Sequence, residues 1–195
     1  GGRANPNTLP KIPDASVRKV AEELVRSMDA VGTDVQFISP RPYLQMHSVK
    51  PGRVCELWSI HCNDLIARFV QMFPDRFRGV AGLPQFMDEP LEQRAIPELR
   101  RCINDLGFVG CLINPDPTEG LGDPPGLGDP YWHPLYQAMT ELDVPGLIHS
   151  AGSCSARESY TLKLINEESI AILSLLGART FDTFPDLKIV VAHAG

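Results

Sequence analysis

The 195 residues, 43% hydrophobic and 22% charged, carry enough apolar side chain for one domain with a sizeable core. A formal net charge of −6 excludes the basic surface that nucleic acid or an anionic membrane would want. No apolar run approaches the roughly 18–20 residues of a bilayer span. An acidic chain can still bind a small anionic substrate, but only where a metal or a few arginines make the pocket locally positive.

Residues 1–13, rich in Gly, Asn and Pro, read as a loop. From Asp14 to Val31 the apolar positions Val17, Val20, Leu24, Met28 and Val31 keep helical spacing, and Gly32 suits the stop. Val35 to Ile38 is a short strand ending in Ser39-Pro40-Arg41-Pro42. A second helix is predicted from Pro51 to about Phe73, and Arg78 to Pro84 is the next strand. A third helix covers Pro90 to Leu106, with Leu91, Ala95, Leu99, Cys102 and Leu106 on its apolar side. Pro97 inside it is expected to delete one backbone bond and bend it.

Phe108 to Asn114 reads as a buried strand. A loop over 116–130 follows, then a helix from Tyr131 to Asp143 and a strand from Val144 to His149. A helix around Glu167 to Ala178 and a strand from Leu187 to His193 complete the series. Strict alternation of helices with short apolar strands implies a parallel sheet with right-handed crossovers. Five strands and five helices suit an incomplete (β/α)8 TIM-type barrel or a small open doubly wound sheet, and periodicity alone leaves both open.

In a parallel α/β barrel the chemistry sits at the C-terminal ends of the strands. Those ends carry Arg41, Asn114, Asp116, His149 and His193. Each has an ordinary structural explanation; one fold places them all on one face. His149 and His193 are 44 residues apart, so no HExxH-type metal motif is involved, and two imidazoles alone make half a zinc site. His61 falls in a helix, His133 at a helix start and His47 in a loop, which suits structural or exposed roles.

Gly120-Leu-Gly-Asp-Pro124 and Gly126-Leu-Gly-Asp-Pro130 imitate a phosphate loop. They lack the following Lys-Ser/Thr, and their prolines remove donors. A mobile lid or a loose insertion is expected instead. Cys55, Cys62, Cys102, Cys111 and Cys154 are odd in number and form no CxxC pair, which fits reduced thiols in a cytoplasmic protein. Neither a cysteine-protease arrangement around Cys154 nor a GxSxG serine-hydrolase turn is present. No signal-peptide pattern opens the chain, and Gly1-Gly2-Arg3-Ala4, without Met, reads as cut from something longer.

Several stretches together resemble a known family. They are Ile38-Ser-Pro-Arg41-Pro, Val80-Ala-Gly-Leu-Pro84, Asn114-Pro-Asp-Pro117, Leu127-Gly-Asp-Pro-Tyr-Trp-His-Pro134, Ile148-His-Ser-Ala-Gly152, Ile165-Asn-Glu-Glu168 and Phe184-Pro-Asp-Leu-Lys188 running to His193. The chain resembles the metal-dependent amidohydrolase superfamily, in its branch of decarboxylases and hydratases, over nearly its whole length from about Asp34. The Asn114-Pro-Asp and Gly128-Asp-Pro-Tyr-Trp stretches favour the hydratases of aromatic-acid breakdown.

The resemblance implies a barrel enzyme with one divalent metal ion, of the zinc class. It further implies His149 as a metal ligand, His193 as the neighbouring acid/base, and Arg41, Asn114 and Tyr160 as holders of substrate carboxylates. An arginine suits that task because its planar fork pairs bidentately with a carboxylate. Two family features are absent, the His-x-His pair of the first strand and the Asp or Glu of the last strands. The five strands are therefore numbered second to sixth of eight, a partial barrel domain over 1–195, with the first and last two strands missing. The isolated piece is expected to be inactive, a binding or subunit fragment at most, with strand edges that invite self-association into a homo-oligomer.

Overall fold

A computed structural model describes residues 10–87, 89–152 and 159–193, with the side chains at 160 and 161 outside that description. Helix α1, Asp14–Val31, occupies the predicted span and closes on Gly32 in the left-handed conformation at φ 73°. Strand β1 is Gln36–Ile38, helix α2 Arg53–Met72 and strand β2 Phe77–Gly79. Helix α3, Ala95–Asn104, is followed by β3, Cys111–Ile113. Helix α4 is His133–Glu141 and β4 Gly146–Ile148; α5, Tyr160–Gly177, and the short α6, Thr180–Thr183, precede β5, Ile189–Val191.

Two helix expectations need correction. Pro97 does not bend α3, because the helix begins at Ala95 and places the proline third. The N–H groups of a first helical turn have no intrahelical acceptor, so nothing is lost there. Helix α5 begins at Tyr160, well before Glu167, with the Ser159 hydroxyl accepting from the Leu162 N–H at 3.4 Å.

Among the described residues the strand pairs are parallel: β1 with β2, β3 with β4 and β4 with β5. The two ladders join where Ala81 bridges Cys111, with Ala81 N–H donating to Gly110 at 2.9 Å and Leu112 N–H to Ala81 at 2.8 Å. Spatial order thus equals chain order, β1-β2-β3-β4-β5. A doubly wound open sheet reverses its strand order at a switch point. Among the described residues there is no reversal, so the architecture is α/β with part of a barrel wall.

Successive strand side chains alternate between faces. Cys111, Ile113 and Ile148 lie on the helix side in the main core with Leu99, Leu135, Met139 and Leu175. On the other face Phe37, Val80, Leu147 and Val190 line an apolar concavity, and Phe37 and Val190 on the outer strands are 65% and 52% exposed. A second cluster of Ala21, Met28 and Phe77 ties α1 to β2.

The 116–130 loop is neither a loose insertion nor a free-standing lid. Asp116 accepts from the Thr118 and Gly120 backbone N–H groups at 2.8 and 2.6 Å. Trp132 Nε1 donates to Pro125 at 3.0 Å, and Tyr136 Oη to Leu127 at 2.6 Å. Gly128 N–H donates to Ser174 Oγ at 2.9 Å, and a Cβ there would lie 2.3 Å from the Ser174 carbonyl oxygen. Glycine is required by that close approach of loop to α5.

Candidate metal centre

Strand β4 delivers His149, and β5 delivers His193 two residues past its end. Ile113, Ile148 and Val191 are register partners across β3, β4 and β5, so Asn114, His149 and Ala192 stand side by side at one edge. The ladder extends there, with His149 N–H donating to Ile113 at 3.0 Å and Ala192 N–H to Ile148 at 3.1 Å. His193 adopts φ 52°, a left-handed conformation that costs a non-glycine residue about 1–2 kcal/mol.

The two imidazoles meet edge to face, with ring centroids 4.5 Å apart and planes at 77°. His149 Nδ1 is 2.8 Å from the Ser150 carbonyl oxygen. A carbonyl only accepts, so Nδ1 carries the proton and Nε2 keeps its lone pair. A ligating histidine usually shows this arrangement, its second nitrogen donating to a carbonyl or carboxylate.

Glu168, in the middle of α5, is the group that sequence reasoning did not single out. It is 2% exposed, and its Oε1 lies 2.9 Å from His193 Nδ1 and 3.2 Å from the Ser150 N–H. Donor atoms of His149, Glu168 and His193 all lie within 4.8 Å of one another. Imidazoles and carboxylates are donor types that a divalent cation takes, so this cluster can supply part of its shell. A groove of about 300 Å³ runs beside them along α5 and β5, lined by Ile165, Ile172, Leu173 and Val191 among others. The signal for Glu168 was in the sequence: Leu164, Glu168, Ala171 and Leu175 share one buried stripe of α5, and a carboxylate on such a stripe demands a partner.

Asn114 is 1% exposed at the end of β3. Its Nδ2 donates to His47 Nδ1 at 2.9 Å, its Oδ1 accepts from Asp116 N–H at 3.2 Å, and its own N–H donates to Gln85 Oε1 at 3.0 Å. His47 Nε2 in turn donates to the Leu83 carbonyl at 2.9 Å, and burial pushes this imidazole down to about 4, so it is neutral. Arg41 is exposed after β1, its Nη1 donating to Tyr43 Oη at 2.5 Å and its guanidinium 5.4 Å from that ring. The structure thus joins His149 to His193, joins Asn114 to His47, and keeps Arg41 at the far strand end. The Tyr160 side chain and Cys154 lie outside the described residues. His61 packs on Trp58 and His133 on Phe184, at 5.9 and 5.1 Å between ring centroids.

Comparison with known proteins gives a consistent result. The amidohydrolase family model matches residues 14–195. A 2-keto-4-carboxy-3-hexenedioate hydratase of Sphingobium sp. is 39% identical over 188 residues, covering 95% of this chain and 55% of the hydratase. The crystal structure of 4-oxalomesaconate hydratase from Rhodopseudomonas palustris superimposes with a TM-score of 0.80 at 32% identity, over 93% of this chain and 50% of that one. A dihydroxybenzoic acid decarboxylase from Polaromonas sp., with bound manganese and the inhibitor 2-nitroresorcinol, gives 0.72 at 27% identity, over 92% and 58%. The chain therefore spans little more than half the length of these proteins.

Proposed function

Because the chain belongs to the amidohydrolase family, we propose that the whole protein is a metal-dependent lyase that hydrates 4-oxalomesaconate or a close relative in aromatic-acid breakdown. The observation that carries the reading is the pair of imidazoles at the ends of β4 and β5, 4.5 Å apart and beside a buried carboxylate. The 39% identity to a hydratase, against 30–35% to gamma-resorcylate decarboxylases, supports hydration as the reaction.

In this reading His149 Nε2 helps hold one divalent ion of the zinc class, which when bound supplies Lewis acidity toward a substrate oxygen or water. His193 Nε2 stands next to it as the group that takes or gives the proton at the reacting carbon or oxygen. Arg41 anchors a substrate carboxylate once its fork turns from Tyr43. Asn114 contributes with the amide hydrogen left over after His47, and Tyr160 with its phenol. Among the described residues Cys55, Cys62, Cys102 and Cys111 are free thiols, which suits a reducing cytoplasmic setting. No helix among the described residues is long and apolar enough to cross a membrane.

The alternative on the same scaffold is non-oxidative decarboxylation of an aromatic or muconate-type acid, favoured by the manganese-bound decarboxylase among the structural neighbours. Assay of the full-length protein on both substrate types decides. Loss of the unsaturated-acid absorbance with no CO2 supports hydration; CO2 release without hydration overturns it.

A further inference from the structure

We propose that Glu168 is a positioning residue, not a metal ligand: its carboxylate holds His193 with the Nδ1 proton turned inward and Nε2 left open. The proposal rests on the lyase reading for its purpose, and on the hydrogen bonds around Glu168 for its content. Carboxylate oxygens only accept, so the 2.9 Å contact places the proton on His193 Nδ1. The same Oε1 also accepts the N–H of Ser150, at 3.2 Å. That second donor is a backbone amide beside His149 and has no alternative state.

One buried carboxylate therefore pins the end of β4 and the end of β5 at once. It sets the spacing of the two imidazoles by gripping the residue after His149 and the ring of His193. Oε2 also faces His193 Nδ1, at 3.2 Å, so were either oxygen a metal ligand the Nδ1–H, and for Oε1 the Ser150 amide as well, would have to share its acceptor with a cation. The three donors thus divide into two imidazoles that offer Nε2 and a carboxylate behind them. Helix α5 supplies the rigidity, because Glu168 shares its buried stripe with Leu164, Ala171 and Leu175. The cost of bringing a carboxylate into that stripe is offset by its two N–H partners.

The test is the tautomer of His193 in the metal-free, full-length protein labelled with 15N-histidine, read by long-range 1H–15N NMR at about pH 8, where an ordinary imidazole is neutral. Wild type is expected to show His193 as the Nδ1–H form, against the Nε2–H form that imidazole prefers in water. Glu168→Ala is expected to revert His193 to Nε2–H and to lower kcat about 10–100-fold with KM changed less than about twofold. Glu168→Gln, whose Oε1 is oriented by the Ser150 N–H, is expected to keep the Nδ1–H form, stoichiometric zinc and most of kcat.

A His193 that is Nε2–H in wild type, or unchanged in Glu168→Ala, overturns the proposal. So does a Glu168→Gln protein that keeps the tautomer and loses its zinc, since that makes Glu168 a ligand. If Glu168→Ala does not fold, Glu168→Gln decides alone, and an Nε2–H form there counts against the role. An Nδ1–H His193 in a protein that turns over neither substrate type overturns the lyase reading and leaves the positioning role standing.

Discussion

His47 Nδ1 accepts a hydrogen bond from the Asn114 amide at 2.9 Å, while Nε2 of the same ring donates to the Leu83 carbonyl at 2.9 Å. One buried imidazole thereby joins the loop after β1 to the ends of β2 and β3. It can do so only as the neutral ring, since protonation would turn the Nδ1 acceptor into a second donor facing an amide N–H.

That relationship predicts an acid-sensitive fold. Burial lowers the imidazole to about 4, against 6.5 for a free histidine. Well above 6.5 neither the folded nor the unfolded form is protonated, and His47 adds no pH dependence there. As pH falls from 6.5 toward 4 the unfolded chain takes up a proton that the folded ring refuses, so stability drops, and it levels off below 4. At pH 5 the loss is about 2 kcal/mol relative to pH 7. His47→Gln removes the titrating group. Urea midpoints at the two pH values should show a flatter dependence for the variant, and equal dependence in both proteins rejects the assignment.

His149→Ala in the full-length protein is expected to lower metal content and turnover together. Elemental analysis after dialysis reads the first, and substrate absorbance the second. Retained stoichiometric metal in the variant refutes the ligand assignment. The expectation is sharp because the His149 Nδ1–H is already committed to Ser150, leaving Nε2 as the one coordinating atom of that ring.

The strand ends were legible because a short apolar run followed by a polar residue marks where a parallel strand leaves the core. His149, Asn114 and His193 all stand there, and monotonic strand order puts them on one edge. Glu168 escaped because it reaches the site sideways, from the middle of a helix, and nothing in its spacing from His193 encodes a contact across 25 residues. His47 escaped because its loop has no periodicity; only the folded chain shows it buried against Leu83 and Asn114. Pro97 misled through a boundary. The apolar spacing of Leu91 and Ala95 runs on smoothly, while the helix itself starts at Ala95.

Asn63 on α2 is expected to matter as much as any apolar core residue. Its Oδ1 accepts Gly82 N–H and its Nδ2 donates to Gly82 C=O, both at 2.9 Å, and Nδ2 also meets Glu98 Oε1 at 2.7 Å. Asn63→Ala leaves the buried Gly82 amide and carbonyl short of partners beside the end of β2, while Glu98 Oε1 keeps Arg101 Nη2 at 2.8 Å. The loss is expected at about 2–4 kcal/mol in chemical denaturation. A change below about 0.5 kcal/mol would mean water replaces the side chain.

The described thiols are expected to be poor nucleophiles in the native protein. Burial pushes Cys55 and Cys111 up to about 12 and the half-buried Cys62 to about 11, and raises Cys102 as well. At pH 8 their thiolate fractions are then about a thousandfold or more below one. Labelling with a disulfide reagent should be slow for these four in native protein and fast in urea. Rapid native modification of Cys55, Cys102 or Cys111, located by mass spectrometry, contradicts the packing.

Two glycine substitutions on the α5 side should part in sign. In Gly128→Ala the new methyl carbon would lie 2.3 Å from the Ser174 carbonyl oxygen and 2.6 Å from Ala178 Cβ, so the 116–130 loop must lift off α5. With it go the Gly128–Ser174 hydrogen bond and the burial of Leu127, at a cost of about 1–3 kcal/mol. The lifted loop should also be cut faster by protease at exposed Leu121. In Gly177→Ala the added carbon meets nothing within 4 Å at the last turn of the same helix. Relief of glycine's entropy cost should then stabilise the protein by about 0.4–1 kcal/mol. Thermal or urea denaturation of the pair, with wild type alongside, reads both signs at once. Equal shifts would show that α5 and the loop are not packed as described; opposite shifts support the close approach at Gly128 and so the docking of the loop on α5.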